Sequence, residues 1–412
     1  MKLLHTADWH LGQTFYEFDR RMEHLAFFVW LKRQISERAI DVLLIAGDVF
    51  DSPNPSAESQ RLYYTFLREV TAAHPNLQII IIAGNHDSAA RLEAPNPLLE
   101  GMNVTVRGVV KRDAEGSIDL NPLIIPIYKV EAEYLSSEIT SEREIAAYCL
   151  AVPYLRQGDY PPAETYTEGV KLLYQQLFEQ VKAEGKPVIA MGHLQATGSE
   201  ISVDDRSERT VIGGLECVSP DSFDESIIYT ALGHLHRAQR VSKRENVRYS
   251  GTPIPMSFAE KHNTCGAVCV EYTGGSTTIE RLEFEPSVCL MSIPRQPEPL
   301  DDVLKAISEL PDGEVTGTSP YLEIKIRMTE PEPSYKYKIE AALKGKSVRL
   351  ARVVAVLPAK AASGIKAANY EELQTIRPLD MALDVFRRKY GGEEMPGAMK
   401  ELLETVMKEA GV

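Results

Sequence analysis

Five short polar motifs, each directly after a predicted β-strand, constrain the fold of this chain more than any other feature of its sequence. In open α/β sheets, ligands bind at the carboxyl ends of the strands, and a glycine there lets the backbone turn sharply. The sequence therefore predicts an α/β fold in which the five motifs converge on one site. The motifs are Asp8-Trp9-His10, Gly47-Asp48, Gly84-Asn85-His86-Asp87, Gly192-His193 and Gly233-His234-Leu235-His236.

The strands are predicted from short apolar runs, and the helices from apolar residues spaced three, four or seven apart. The strands before the motifs are predicted at Lys2–Thr6, Asp41–Ala46, Leu77–Ala83, Pro187–Met191 and Ile227–Leu232. Helices are predicted from about Asn54 to Ala73, from Glu164 to Ala183, and on a face made of Phe18, Met22, Leu25, Phe28 and Ile35. After the last motif, Asn246–Gly251, Gly266–Tyr272 and Thr277–Phe284 are predicted to be a mainly antiparallel series.

The composition narrows the class of protein. A length of 412 residues allows two or three domains, and a net charge of −14 argues against coating DNA or membranes by bulk positive charge, although a local nucleic-acid site stays open. Five cysteines without a CxxC pair favour a reducing cytosolic compartment, and Cys265 and Cys269 fit a strand core better than a zinc site. No signal peptide or membrane-spanning run is visible, so we expect a soluble, cytoplasmic protein with no membrane partner.

Near Pro286 the pattern changes to a small α+β unit without any cluster of chemically reactive residues. Two amphipathic helices follow, at about Pro378–Tyr390 and Pro396–Ala410, and they can pack on the protein itself or on a partner helix. The domains are therefore predicted at 1–285, 286–365 and 366–412.

The residue types in the motifs indicate a metal centre. Several histidines together with aspartates and an asparagine at strand ends would be costly to bury unpaired, at about 1–3 kcal/mol each. Carboxylate, imidazole and amide ligands without thiolate suit Mn²⁺, Fe or Zn²⁺ in an oxygen-rich site. Seven candidate ligands exceed the need of one ion but fit two ions that share a carboxylate, for which Asp48 is the natural bridge. They are Asp8, His10, Asp48, Asn85, His193, His234 and His236.

Two residues of the third motif have other predicted roles. His86 is left over as a non-ligand suited to donate a proton to the leaving oxygen or to stabilise the transition state. Asp87 is predicted either to orient a neighbouring histidine or to cap the helix that begins near Ser88.

In this order, the motifs D-x-H, GD, GNHD, GH and GHxH resemble the calcineurin-like metallophosphoesterase superfamily. The words TADWHLGQ, AGDVFDSP, AGNHD and ALGHLHRAQ are more similar still to the double-strand-break repair nuclease family. The resemblance is strong over about Met1–Glu285. It implies a four-layer α/β/β/α metallophosphoesterase sandwich with a small α+β capping domain, which helps to place DNA, and a C-terminal helical tail.

The resemblance also implies the site. Asp8, His10, Asp48 and His236 would hold one metal ion, and Asp48, Asn85, His193 and His234 the other, with His86 as the catalytic histidine. In archaeal relatives a histidine that contacts the scissile phosphate follows the GD motif. Asp51 stands at that position here and is left out of the predicted site, because a carboxylate cannot take that role unchanged.

The family implies a function as well. It consists of Mn²⁺-dependent nucleases that cut DNA as exonucleases at double-stranded ends and as endonucleases on hairpins and single strands, in DNA repair, recombination and replication. They form homodimers and bind an SMC-like coiled-coil ATPase through C-terminal helices. The alternatives are another metallophosphoesterase, such as a protein phosphatase or cyclic-nucleotide phosphodiesterase, and a non-catalytic DNA-end scaffold. The phosphatase is disfavoured because Ser52 stands where the phosphatase motif GD-x-x-DRG has Arg, and Asp87 where the third motif ends in Glu. The scaffold is disfavoured because every ligand position is filled.

Several residues outside the ligand set also carry predictions. Trp9 is predicted to pack beneath the metal loop rather than to guide DNA, and His24 to lie on the surface. A role on the substrate side of the site is weighed for His262, and a mobile loop is predicted at Ser199–Arg209. The aromatic run Tyr63, Tyr64, Phe66 and Leu67 is assigned to a dimer surface in preference to the core.

Overall fold

The computed structural model describes residues 1–129, 144–199, 217–328, 334–356 and 378–389, with a few residues beyond 394. Two compact units are present: residues 1–326 with 332–355, and residues 327–331 with 356–412. The predicted boundary near 285 falls within the first unit and the one near 365 lies outside the described residues, so the three-domain division remains a prediction.

The first unit contains two six-stranded mixed sheets. In spatial order the strands of the first sheet are β14 (Ser276–Phe284), β13 (Cys265–Thr273), β1 (Lys2–Thr6), β4 (Val42–Ala46), β5 (Gln78–Ile82) and β6 (Val104–Arg107). Strands β1, β4, β5 and β6 run parallel, and β13 and β14 extend the sheet antiparallel beyond β1.

The second sheet has a parallel centre and two antiparallel edges. In spatial order its strands are β11 (Gln239–Val241), β12 (Arg244–Tyr249), β10 (Tyr229–Gly233), β9 (Val188–His193), β8 (Ile145–Ala151) and β7 (Ile124–Tyr128). A short hairpin of β2 (Thr14–Phe15) and β3 (Phe18–Asp19) stands apart from both sheets.

Buried apolar strands hold the two sheets together, because successive side chains point to opposite faces of a strand. Leu3 and Leu44 of the first sheet and Ile189 of the second sheet belong to one buried core between the two sheets. Leu4 and Leu43 point the other way, into the core under the helices. This alternation produces four layers, helix–sheet–sheet–helix, and confirms the α/β fold class.

Helices cover the outer face of each sheet. On the first sheet lie α1 (Arg21–Arg38) and α2 (Ala57–Ala73), followed by the short α3 (Ala89–Glu93) and α4 (Asn96–Leu99). On the second sheet lies α5 (Tyr166–Lys182), whose apolar side packs in a separate core. The side chain of Ser56 caps α2 by accepting from the N–H of Ser59, and Thr165 caps α5 in the same way.

A third, three-stranded sheet packs beside the sandwich within the same unit. It consists of β15 (Leu290–Glu298), β16 (Tyr321–Arg327) and β17 (Arg349–Val356), with α6 (Leu300–Ser308) and α7 (Tyr335–Leu343). Tyr321 of this sheet joins Phe15, Phe258 and Val288 in one buried cluster. We call β15 to β17 with α6 and α7 the small sheet domain.

The second unit contains α8 (Pro378–Lys389), which begins where the sequence predicts and ends one residue earlier. Val385 of α8 is 56% exposed. Most of the second predicted tail helix, and nearly all of Ser199–Arg209, lie outside the described residues. Within the described residues, no helix is both long and apolar enough to cross a membrane.

Four predictions about the fold are wrong in whole or in part. The mainly antiparallel series is right for β13 and β14, which pair antiparallel in the first sheet, but wrong for β12, which pairs parallel with β10 in the second. The buried face of α1 is offset, so Met22 is 68% exposed, and His24 is buried rather than on the surface. The aromatic run on α2 is core rather than dimer surface, with Tyr63 fully buried and only Tyr64 partly exposed.

Candidate metal centre

All five motifs meet where strands of both sheets end. Asp8 follows β1 and Asp48 follows β4 in the first sheet, while His193 ends β9 and His234 follows β10 in the second. The first two loops are tied to each other by backbone hydrogen bonds, since the N–H of Asp8 donates to Gly47 O at 3.0 Å. The N–H of His10 likewise donates to Asp48 O at 3.0 Å. The motifs therefore converge, as their positions after strands predict.

The backbone of the centre is strained at four candidate ligands. The φ angles of Asp8, His10, Asp48 and His234 are +54°, +46°, +49° and +101°. Non-glycine residues in this region cost about 1–3 kcal/mol each, and such strain collects at functional sites. The surrounding fold holds this strain, and the strained backbone aims these side chains inward.

Two motif glycines provide space for these side chains. A Cβ atom at Gly47, whose φ is +92°, would collide with the imidazole of His193. A Cβ atom at Gly84 would collide with the carboxylate and backbone N–H of Asp48. Any side chain at either position would thus displace a candidate ligand.

The buried polar atoms of the centre fit a cation. The ligand atoms of Asp8, His10 and His236 lie within 4.8 Å of one another, and so do those of Asp8, Asp48 and His193. Asp8 Oδ2, Asp48 Oδ2 and His10 Nε2 are buried without a hydrogen-bond partner among the described residues. Two carboxylate oxygens left in this way are costly unless a cation binds them.

Asn85 joins the second group of candidate ligands. Its Oδ1 lies 2.9 Å from His193 Nε2 and 3.0 Å from His234 Nδ1. Asp48 Oδ2 lies 3.4 Å from the same His193 nitrogen. On its other side, His193 Nδ1 donates to Ala46 O at 2.9 Å, which leaves Nε2 to face the centre. Asn85, His193, His234 and Asp48 thus form a second cluster beside the first.

Electrostatics favour a positive partner for this centre. Burial raises the pKa of Asp8 to about 6 despite the nearby histidines. Burial works against charge on His193, yet Asp48 and Asp8 raise the pKa of His193 to about 10. Burial also opposes charge on Asp48, but the charge of His193, whose Nε2 lies 3.4 Å from Asp48 Oδ2, lowers the pKa of Asp48 well below its usual range. A divalent ion would take the place of these protons.

His86 lies close to the first cluster, and its ring nitrogen lies within 4.8 Å of ligand atoms of His10 and Asp48. Its Nδ1 donates to Asp51 O at 2.9 Å, and its ring centroid lies 4.8 Å from that of His10. The side chain of Asp51 turns toward the same place, with Oδ1 3.3 Å from His10 Nδ1. Asp51 therefore contacts a candidate ligand, a role that sequence reasoning missed because it considered only contact with the phosphate.

Asp87 differs from both of its predicted roles. Its Oδ1 accepts the N–H of Phe50 at 2.9 Å, and its Oδ2 accepts the N–H of Val49 at 3.1 Å and of Gly84 at 2.9 Å. These contacts neither orient a histidine nor cap α3. Asp87 instead holds the loop that carries Asp48.

Glu260 is a site residue that the sequence did not reveal. It is 1% exposed, and its Oε1 lies 3.0 Å from His236 Nδ1. A carboxylate that accepts from one ring nitrogen fixes the tautomer of a metal-ligating histidine. The only sequence signal is its place in the segment GTPIPMSFAEKHN, in which His262 is the more obvious candidate. His262 is exposed, and the cavity at the centre does not include it.

The remaining aromatic and histidine predictions concern packing. Trp9 is fully buried, and its ring packs against Phe28 and Phe66, as predicted. His24 donates from Nε2 to Trp9 O at 2.8 Å and so supports the loop between Asp8 and His10 from beneath.

A cavity of about 890 Å³ opens from the centre toward the small sheet domain. His10, His86 and His236 line one end of it. Cationic side chains line the other part, namely Lys261, Lys325 and Arg352. Glu323, which is buried, accepts from Arg352 Nε at 2.6 Å and lies 3.3 Å from Lys325 Nζ, so it orients both cations.

Family models match most of this architecture. The model described as calcineurin-like phosphoesterase matches residues 1–238 and therefore includes all seven candidate ligands. The model described as type 5 capsule protein repressor C-terminal domain matches residues 288–391. Because the first match spans more than half of the chain, the protein belongs to the calcineurin-like phosphoesterases.

Curated relatives narrow the family. SbcD of Rhodobacter capsulatus, one of the subunits of the nuclease SbcCD, is 36% identical over 87% of this chain and 88% of its own length. The protein of the same name from Escherichia coli K12 is 28% identical over 98% of this chain and 96% of its own length. The one from Bacillus subtilis is 32% identical over 63% of this chain and 63% of its own length. The chain thus belongs to the SbcD nuclease family. It is a metal-dependent nuclease, as the family resemblance implies.

Proposed function

We propose that this chain is a Mn²⁺-dependent DNA nuclease of repair and recombination, cutting double-stranded ends as an exonuclease and hairpins or single strands as an endonuclease. The observation that carries the proposal is the cavity that joins His86 and the ligand clusters to Lys261, Lys325 and Arg352. A run of cations beside a metal centre suits a substrate with several phosphates better than a single small phosphoester.

Two ions are proposed, with the ligand sets that the family resemblance implies. Asp8, His10 and His236 would hold the first ion and Asn85, His193 and His234 the second, with Asp48 shared between them. When bound, the two ions polarise the phosphoryl oxygens and make a water nucleophilic. The predominance of imidazole and oxygen ligands suits Mn²⁺.

The chain's own residues supply the rest of the chemistry. Because His86 Nδ1 donates to Asp51 O, its Nε2 is the nitrogen available to exchange a proton. The imidazolium form donates that proton to the leaving oxygen of the scissile phosphodiester. Lys325 and Arg352 hold neighbouring phosphates and keep the strand aligned with the centre.

A partner protein is proposed from the relatives' name, which specifies one subunit of a two-part complex. We propose that it is an SMC-like coiled-coil ATPase that docks on the C-terminal helices from residue 366 onward. We also propose a homodimer. Retention of the ATPase by a chain truncated before Leu383, in a pull-down against the full chain, contradicts the docking proposal.

The nuclease proposal is tested with the purified full chain, Mn²⁺ and a labelled duplex that carries a hairpin at one end. We expect cleavage by the wild type and loss of cleavage in His86→Asn, in which the amide can still donate to Asp51 O. His262→Ala is the matched control, since it removes an exposed histidine outside the cavity and should cut normally.

The proposal is wrong if the wild type hydrolyses a small phosphodiester in Mn²⁺ but leaves every DNA end and hairpin intact. Equal DNA cleavage by His86→Asn would remove His86 from the mechanism and keep the nuclease.

A further inference from the structure

A buried series of hydrogen bonds connects the small sheet domain to the candidate ligand His236. It begins at Tyr321 of β16, whose hydroxyl donates to Glu23 Oε1 at 2.9 Å. Glu23 in turn accepts from Arg20 twice, at 3.0 Å from Nε and at 2.7 Å from Nη2. These three residues are at most 2% exposed.

The series continues from Arg20 into the segment that holds Glu260. Arg20 Nη1 donates to Pro255 O at 2.5 Å, and the next residue, Met256, donates its N–H to Glu260 Oε2 at 2.8 Å. The other oxygen of Glu260 meets His236 Nδ1 at 3.0 Å. Both carboxylate oxygens of Glu260 are thereby engaged, one by the segment and one by the candidate ligand.

We propose that Glu260 is a positioning residue for His236, and that the seating of the small sheet domain sets metal affinity through Tyr321, Glu23, Arg20 and Glu260. The inference deepens the proposed function, because it concerns the first metal position of the same centre. Glu260 fixes the tautomer and ring orientation of His236. The small sheet domain positions Glu260 through Tyr321, which donates to Glu23 of the Arg20–Glu23 ion pair. Arg20 in turn donates to Pro255 O, next to the Met256 N–H that Glu260 accepts.

Strand β16 both lines the cavity and carries the first residue of the hydrogen-bonded series. Tyr321 lies on the same strand as Glu323 and Lys325, which line the cavity. A substrate that presses on this strand therefore acts on the hydrogen-bonded series as well. Loading of the first ion and contact of the substrate with this strand become linked events.

The test is calorimetric titration of the whole metal-free chain with Mn²⁺, without DNA. Glu260→Gln offers one oxygen where two N–H groups need an acceptor, so we expect ~10- to 100-fold weaker binding of one of two ions, as for partners of metal-ligating histidines. Tyr321→Phe should weaken the same event by roughly 2- to 30-fold, the span of coupling along side-chain networks. The variant that carries both changes should bind Mn²⁺ no more weakly than Glu260→Gln alone, because both changes interrupt the same series of hydrogen bonds.

Tyr229→Phe is the matched control. Tyr229 is equally buried and its hydroxyl also has a partner, His5 Nδ1 at 2.8 Å, but it begins β10 at the end away from the centre. Unfolding of the metal-free proteins is measured in parallel. Both Tyr→Phe changes should lower stability, whereas only Tyr321→Phe should weaken Mn²⁺ binding.

Three results overturn the inference. A Glu260→Gln variant that loses stability yet binds both ions as the wild type does makes Glu260 purely structural. The link to the small sheet domain is wrong if Tyr321→Phe binds Mn²⁺ as tightly as Tyr229→Phe does. It is also wrong if the loss of Mn²⁺ affinity in Tyr321→Phe adds in full to the loss in Glu260→Gln. If the wild-type chain binds no Mn²⁺, the proposed metal centre is wrong as well. If it binds Mn²⁺ but leaves DNA uncut, only the proposed substrate is wrong.

Discussion

The Oδ1 atom of Asp87 accepts the backbone N–H of Phe50 at 2.9 Å. This bond ties the third motif to the second across 37 positions of the chain. With two further backbone N–H groups on the other oxygen, the carboxylate fixes the loop that carries Asp48. The proposed bridging ligand is therefore held by a neighbouring motif as well as by its own strand.

Asp87→Asn should destabilise the protein and weaken metal binding. An amide has one acceptor oxygen for three N–H groups, and each buried N–H left without a partner costs about 1–3 kcal/mol. Urea unfolding should reveal the loss. Asp113→Asn is the control, because Asp113 accepts two backbone N–H groups in an exposed turn. It should change stability by less than about 0.5 kcal/mol. Equal losses in both variants would contradict the role assigned to Asp87.

Asn85→Ala should reduce the number of Mn²⁺ ions bound from two to one. Its Oδ1 lies between His193 and His234, so its loss opens the second ligand set and leaves Asp8, His10 and His236 in place. Calorimetry or the count of bound Mn²⁺ after desalting measures the change. Asn54→Ala, at an exposed asparagine away from the centre, should still bind two. Two ions in Asn85→Ala would remove Asn85 from the ligand set.

Local patterns in the sequence predicted the strands that carry the site. The motifs at Asp8 and Asp48 follow buried apolar runs, and the position of a ligand at a strand end depends only on where that strand stops. How the strands divide between two sheets was not predictable from the same patterns. It depends on pairings such as β12 with β10, whose parallel register is set by contacts far apart in sequence.

The supporting residues of the site were harder to predict for a similar reason. Asp87 and Glu260 act through hydrogen bonds to segments 24 to 38 positions away, and neither has a spacing that identifies its partner. His24 was predicted to be exposed because a histidine on a helix usually is. In the fold it faces Trp9, since the buried stripe of α1 includes Phe27 and Leu31 rather than Met22.

Buried neutral histidines should make the protein sensitive to acid. Burial, and then the nearby Arg20, lower the pKa of His24 to about 4, and burial lowers that of His5 to about 3. Below the unfolded value of 6.5, the unfolded chain takes up protons that the folded chain does not. The stability that these neutral histidines contribute is therefore fully present above about pH 6.5. It is lost as the pH drops toward about 4, by on the order of 3 kcal/mol for His24.

His24→Gln isolates this effect. The glutamine amide can still donate to Trp9 O but does not titrate, so the variant should lose less stability than the wild type between about pH 7 and about pH 5 in urea unfolding. His262→Gln should follow the wild type, because it replaces an exposed histidine and leaves His24 and its bond to Trp9 O in place. A His24→Gln curve parallel to that of the wild type would show that His24 is not the titrating group.

Lys325→Ala and Arg352→Ala should each weaken DNA binding and reduce its salt dependence. A side chain that neutralises one phosphate contributes about one unit to the slope of log affinity against log salt. Binding is measured in the His86→Asn background, which prevents cleavage, at several salt concentrations. Lys182→Ala is the control, since Lys182 is exposed on α5 and paired with Glu179 away from the cavity. If Lys325→Ala keeps the slope of Lys182→Ala, DNA does not run along the small sheet domain, and the cations of the cavity serve only to balance Glu323.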